Sequence, residues 1–146
     1  MLKEVHAEAL ATLDQAAELQ HSGYGSMASW QGHASLLTDL KGNVNALGSS
    51  VARLEALRDA ASPEERLEID RVNPLVRDLA NATSGAIVYI NGHLPDVWQP
   101  QYRQYLDTLV DKSEQLGKST GEFLQFSYTR GKEKHLERDL GIQTGE

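Results

Sequence analysis

Between Leu37 and Ala61 the chain repeats apolar residues at alternating steps of three and four. This is the heptad spacing of a helix that packs lengthwise against other helices. Arg58 is the one residue out of type in a stripe that comprises Leu37, Leu40, Val44, Leu47, Val51, Leu54 and Ala61. A pattern of this length limits the fold class more than any other feature, and it predicts a bundle of helices rather than a particular chemistry.

Helices are also predicted on both sides of this stripe. The first helix, over 2–21, is rich in alanine, and its apolar residues recur near helical spacing. These residues are Leu2, Val5, Ala9, Leu13, Ala16, Ala17 and either Leu19 or Gln20. Gly23 favours the end of this helix, and the second helix, which carries the heptad stripe, is predicted over 26–61.

The third helix has the clearest start in the sequence. Ser62 can cap it, Pro63 fits its first position and Glu65 can complete a capping box. We predict that it reaches residue 91, with a kink or a short break caused by Pro74. Its predicted apolar set is Leu67, Leu75, Val76, Leu79, Ala82, Ala86, Val88 and Ile90.

The fourth helix is predicted from Val97 or Trp98 to about residue 128, with Asp96 as its cap. Ser113 and Thr120 are polar interruptions in its apolar stripe. That stripe comprises Tyr102, Leu106, Leu109, Leu116 and Phe123, with Leu124 as a further candidate. The sequence after Gly131 is predicted to form a charged helical extension followed by a frayed tail.

These segments predict an all-α fold, because no strand pattern, repeat or low-complexity block occurs in the 146 residues. Short connections between long helices favour antiparallel neighbours. We therefore predict an antiparallel up-down four-helix bundle with one shorter N-terminal helix and a charged C-terminal extension. The bundle domain is assigned to 1–130, and the extension and flexible tail to 131–146.

Composition limits the possible partners. The formal net charge is -7, so the chain lacks the positive field that binding to nucleic acid phosphates requires. No apolar run approaches the length of a membrane span, and cysteine is absent. No signal peptide is visible, so we expect a soluble protein that is either cytoplasmic or exported with its signal sequence absent from this chain.

Metal binding is the first chemistry to consider in a four-helix bundle. Di-iron bundles use glutamates on all four helices and a Glu-x-x-His pattern on two of them. The chain has one such pattern, from Glu18 to His21, with Asp14 one turn earlier. These three residues are the metal candidates, and a metal-dependent oxidoreductase is one alternative function. A second Glu-x-x-His pattern is absent, so a solvated polar face is the preferred interpretation, and we expect no cofactor.

Aromatic residues gather at two places in the predicted bundle. Antiparallel packing would bring four of them together at one end: Tyr89, Trp98, Tyr102 and Tyr105. They predict either an aromatic plug that closes the core or a patch that recognises a ligand or partner. Phe123, Phe126 and Tyr128 form a second group, of which at least one ring should be partly exposed because helical spacing cannot bury all three.

One short motif resembles a known family. Trp30-Gln31-Gly32 is similar to the Trp-x-Gly signature of small helical-hairpin secretion substrates, in which the motif lies at the hairpin turn. Here the motif is predicted inside the second helix and is followed by two more helices. The resemblance covers three residues, and no function or site residue is transferred from it.

No nucleophile motif, catalytic cysteine or phosphate-binding loop is present in the sequence. The leading hypothesis is therefore a non-enzymatic helical bundle that acts through protein contacts, either with a partner or by self-association. A second hypothesis is a sensor or carrier that binds a small apolar ligand between helices. The space for such a ligand would be left by small residues, which are Gly42, Gly48, Ala82, Ala86, Gly117 and Gly121.

Overall fold

The chain forms four long helices that lie side by side. The computed structural model describes residues 2–22, 30–93 and 99–140. The helices are α1 (Leu2–Ser22), α2 (Trp30–Ala56), α3 (Pro63–Gly92) and α4 (Pro100–Leu140), and a 3₁₀ turn at Arg58–Ala60 joins α2 to α3. Within these residues there is no strand, and no helix is long and apolar enough to cross a membrane.

Each helix packs against two neighbours, in the cyclic order α1, α2, α3, α4 and back to α1. Residue numbers run in opposite directions across each interface. Across α1 and α2, for example, Glu4 contacts Arg53 while Gln15 contacts Asn43 further along. Across α1 and α4, His6 contacts Thr120 while Gln20 contacts Asp107. The predicted antiparallel up-down four-helix bundle is confirmed.

The heptad stripe of α2 is the core face of that helix. Its six residues from Leu37 to Leu54 are all buried, and Ala61 packs against the core from outside the helix. Helix α2 ends at Ala56, five residues before the predicted end, and the chain then turns through the 3₁₀ segment. In that segment Arg58 donates two hydrogen bonds to the Asp70 carboxylate on α3, which fixes the turn against the next helix.

Helix α1 also has a heptad seam, but one position in it is polar. Its buried residues are Leu2, Val5, Ala9, Thr12, Ala16 and Leu19. The apolar pattern instead predicts Leu13 and Ala17 in the stripe, but Leu13 is half-buried and Ala17 is exposed. Thr12 fits the core because its hydroxyl donates to the backbone carbonyl of Glu8 at 2.7 Å, which satisfies the buried oxygen.

Helix α3 begins as predicted. Ser62 accepts a hydrogen bond from the backbone N–H of Glu65, and the Glu65 carboxylate accepts one from the backbone N–H of Ser62. Pro74 does not break the helix, which is continuous to Gly92. The predicted apolar set of this helix is wrong at two residues, because Leu67 and Val88 are 59% and 71% exposed and do not face the core.

The bundle has two different ends. The "tyrosine end" contains the last turns of α1 and α3 and the first turns of α2 and α4. At the opposite end, the "extension end", Arg130 of α4 pairs with Glu64 in the first turn of α3 at 2.9 Å. Helix α4 continues beyond this pair to Leu140 without a break at Gly131. The two ends present different chemistry.

Candidate functional site

Three of the four predicted aromatic residues meet at the tyrosine end. Tyr102 is fully buried, and a 2.8 Å hydrogen bond joins its hydroxyl to Nδ1 of His33 on α2. Tyr89 stacks on Tyr102 with 5.9 Å between ring centroids. Tyr105 lies tilted beside Tyr89 at 6.4 Å. The fourth predicted member, Trp98, lies outside the described residues.

The hydrogen bond between His33 and Tyr102 spans the bundle diagonally, because α2 and α4 are not neighbours in the cyclic order. Burial lowers the pKa of His33 and raises the pKa of the Tyr102 hydroxyl. Both shifts favour the neutral form of each group near neutral pH. The pair is therefore an uncharged polar crosslink in the core.

Tyr89 completes this end of the molecule. Its ring stacks on His93 at 3.9 Å, nearly parallel, and its hydroxyl donates to Oε1 of Gln99 at 2.8 Å. Tyr89 and Tyr102 are buried, whereas Tyr105 is half-buried. An aromatic plug describes this arrangement better than an open recognition patch, and a ligand or partner role for the tyrosines stays a prediction.

A groove at the extension end brings together residues that the sequence did not group. It runs between the first turns of α3 and the later turns of α4, and we call it the α3–α4 groove. Its walls include Glu64, Leu67, Glu68, Ser119, Phe123 and Phe126, and Arg71 and Glu122 also line it. It is open to solvent, encloses about 250 Å³, and adjoins a second hollow of about 320 Å³ beside Arg130.

Two side chains give this groove an exposed apolar surface. Leu67 is 59% exposed and Phe126 is 50% exposed, while Phe123 is half-buried and packs against the core. Tyr128 is also exposed, which agrees with the expectation that the second aromatic group cannot be buried completely. The groove thus presents apolar side chains to solvent beside a continuous part of the core.

A buried carboxylate forms one wall of the α3–α4 groove. Glu68 is only 1% exposed. Its Oε2 accepts a hydrogen bond of 2.7 Å from the Ser119 hydroxyl, and its Oε1 lies 3.7 Å from a nitrogen of Arg71. Burial raises the pKa of Glu68, Ser119 and Arg71 act against that shift, and the like charge of Glu122 adds to it.

Sequence reasoning missed Glu68 because it assigned the adjacent Leu67 to the core. The correct phase follows from the heptad seam of α3, which runs through Ile69, Val72 and Val76. Glu68 lies one residue before Ile69 and four before Val72, so it borders that seam. A heptad fit to α3 alone would have placed Glu68 beside the seam, but the sequence gives no sign that Ser119 faces it.

The metal candidates do not form a site in the structure. Asp14, Glu18 and His21 are all exposed on α1. Among residues 2–22, 30–93 and 99–140 there is no group of three histidine, aspartate or glutamate side chains that could hold a metal ion. The solvated polar face is the interpretation that agrees with their exposure.

The four glycines among the small residues lie either at the surface or against α1. Gly42 and Gly48 face solvent, and a Cβ added at either position would have no atom within 4 Å. On α4, Gly117 and Gly121 lie against side chains of α1. A Cβ at these two positions would meet Leu10 at 3.4 Å and His6 at 3.1 Å. The glycines of α4 therefore allow close packing of α1, which is the common use of small residues between helices.

No protein-family model, curated protein or solved structure matches the chain. The resemblance of Trp30-Gln31-Gly32 to secretion substrates therefore gains no support from these comparisons. The motif lies in the first turn of α2, slightly inside that helix as predicted.

Proposed function

We propose that this chain is a non-enzymatic helical-bundle protein that acts through protein contacts, and that the α3–α4 groove is its contact surface. The observation that carries this proposal is the exposure of Leu67 and Phe126 on either side of a groove whose floor is continuous with the core. Clustered exposed apolar side chains with a polar rim are typical of protein contact sites.

The state of the buried hydroxyl groups supports a structural rather than a chemical use of the interior. Thr12, Thr83 and Thr120 each donate to the carbonyl of the residue four positions earlier. These bonds satisfy the hydroxyls within their own helices. These three buried hydroxyls therefore have a structural use in the core.

The proposal can be tested by affinity capture from the source cell with three versions of the protein as bait. These are the wild type, Phe126→Ser in the groove, and Val88→Ser as a matched control. Val88 is an exposed apolar residue on the same helix as Leu67, but it lies near the tyrosine end. A specific partner should be retained by the wild type and by Val88→Ser and lost by Phe126→Ser.

Light scattering after size-exclusion chromatography provides the parallel test of self-association. If the chain forms dimers, Phe126→Ser should produce monomers while Val88→Ser should not. Retention of the same partner and the same oligomeric state by all three versions would contradict the use of this groove as a contact surface.

A further inference from the structure

We propose that the α3–α4 groove recognises a lysine or arginine side chain carried among apolar residues of a partner helix, with Glu68 as the counter-ion. This inference rests on the proposed function and names the chemistry of the partner. The observations behind it are the burial and partial compensation of Glu68, the charge of the groove, and the size of the groove.

Glu68 is an ionisable group in a position that the bundle could fill with an apolar side chain. A buried carboxylate is costly unless charges and hydrogen bonds compensate it. The compensation consists of one hydroxyl, from Ser119, and the Arg71 guanidinium at 3.7 Å, which is beyond hydrogen-bond distance. The Arg71 side chain is itself 69% exposed. A cation delivered into the groove would compensate Glu68 more completely.

The charge around the groove has the sign that attracts such a cation. Three carboxylates line it, from Glu64, Glu68 and Glu122, together with the guanidinium of Arg71. Arg130 pairs with Glu64 at the edge of the groove, so the carboxylates still outnumber the guanidinium groups by one. The whole chain carries a formal net charge of -7. Complementary charge steers a partner to a surface and discriminates against partners of the same sign. A basic partner segment is therefore favoured over an acidic one.

The apolar side chains of the groove suit the remainder of such a segment. Leu67 and Phe126 are exposed beside Glu68, and the phenyl rings of Phe123 and Phe126 can also contact a cation through their faces. The volume of about 250 Å³ lies below the usual range for drug-sized ligands. An open groove of this size fits individual side chains of a docked helix.

The test uses two synthetic helical peptides of about fifteen residues. Both have leucines at helical spacing along one face, and they differ only at one central position of that face, which is lysine in one peptide and norleucine in the other. Isothermal titration calorimetry measures their affinities for the wild type, for Glu68→Gln and for Glu18→Gln. The last variant removes an equal charge from the exposed face of α1, away from the groove.

The wild type and Glu18→Gln should each bind the lysine peptide at least about tenfold more tightly than they bind the norleucine peptide. Glu68→Gln should remove this preference. It should still fold, because Ser119 can donate to the glutamine oxygen, and circular dichroism checks this. Equal affinities for the two peptides, or a lysine preference that survives Glu68→Gln, would overturn the inference.

Two further outcomes separate this inference from the proposed function. If neither peptide binds but partner capture still depends on Phe126, the groove is a contact surface and the inference about the cation is wrong. Hexylamine serves as a probe for a free organic cation. If hexylamine binds in a Glu68-dependent manner and the lysine peptide does not bind, the occupant of the groove is not a partner helix, and the inference is wrong.

Discussion

Gly85 shows how a single missing side chain positions an aromatic ring. A Cβ at this position would lie 2.5 Å from Cε1 of Tyr105, so Gly85→Ala must displace the ring. Overpacking lowers the free energy of unfolding by about 1–3 kcal/mol. Replacing glycine by alanine, a better helix former, raises it by about 1 kcal/mol. We expect a net loss of up to about 2 kcal/mol in urea denaturation and a changed near-ultraviolet circular dichroism signal from the tyrosines.

Gly48→Ala is the matched control for this prediction, because no atom lies within 4 Å of a Cβ at that exposed helical position. It should raise the free energy of unfolding by about 0.5–1 kcal/mol and leave the tyrosine signal unchanged. A stabilising Gly85→Ala with an unchanged tyrosine signal would show that Tyr105 does not pack against Gly85.

The buried histidine predicts a pH dependence of stability. Burial lowers the pKa of His33, whereas the same histidine in the unfolded chain titrates near its ordinary value of about 6.5. The unfolded state therefore binds more protons once the pH falls below that value. The contribution of His33 to stability is constant above pH ~6.5 and is lost as the pH falls from there through the lowered pKa.

Urea denaturation between about pH 5.5 and 7.5 measures this effect, with a slope of at most about 1.4 kcal/mol per pH unit from one group. His33→Gln should flatten the slope, while His21→Gln, at an exposed position, should retain it. The comparison with His33→Gln is needed because Glu68 acts in the opposite direction. Because the pKa of Glu68 is raised in the folded state, folding favours the protonated carboxyl. The contribution of Glu68 to the free energy of unfolding therefore decreases as the pH rises through the raised pKa. Identical slopes in all three proteins would contradict the assignment to His33.

At the scale of the helices, the sequence pattern predicted the core face completely only in α2 among the described helices. In α3 it missed Ile69 and Val72, which are apolar and buried. In α2, where Leu37 to Leu54 form a complete stripe, every predicted core residue is buried. In α1 a threonine occupies a core position, so a pattern based on hydrophobicity alone shifted the face to Leu13 and Ala17. Thr12 can be buried only because it bonds to its own helix, and hydrophobicity does not report that bond.

The predicted sites depended on contacts between helices, which a single helical pattern does not contain. The meeting of Tyr89, Tyr102 and Tyr105 followed from antiparallel packing and was predicted. The hydrogen bond between Tyr102 and His33 joins two helices that are not neighbours in the bundle. Considering only pairs of neighbouring helices therefore could not predict this bond. The position of Glu68 opposite Ser119 depends in the same way on the register between α3 and α4.

Leu47→Ala tests whether the α2 stripe is the core. Leu47 is fully buried at mid-helix, so its truncation should lower the free energy of unfolding by about 2–5 kcal/mol. Val88→Ala removes apolar atoms from an exposed helical position and should change the free energy of unfolding by less than about 0.5 kcal/mol. Chemical denaturation of both variants gives the comparison, and equal effects would contradict the assigned core.

At the scale of the whole molecule, the bundle should be stable without the last part of α4. A chain that ends after Arg130 keeps the pair with Glu64 and the core contacts of Phe123 and Leu124. We expect its free energy of unfolding to stay within about 0.5 kcal/mol of the full-length value. The helical circular dichroism signal should fall only by the share of the residues removed.

A shorter chain that ends after Thr120 is the control for this truncation. It lacks Phe123 and Leu124, which pack against the core, so it should lose about 2 kcal/mol or more of stability. A large loss already in the chain that ends after Arg130 would show that residues 131–146 belong to the stable bundle and would contradict the division at residue 130.

The cyclic order of the helices has a consequence for how fast the chain reaches its native state. Among the described residues, three interfaces join helices that follow each other in the sequence, and only the contact of α1 with α4 joins residues as far apart as His6 and Thr120. Local contacts form quickly, whereas closing a long loop costs entropy first. We therefore expect the α1–α4 contact to form after the transition state. In stopped-flow experiments Val5→Ala should mainly accelerate unfolding, and Leu54→Ala should mainly slow refolding.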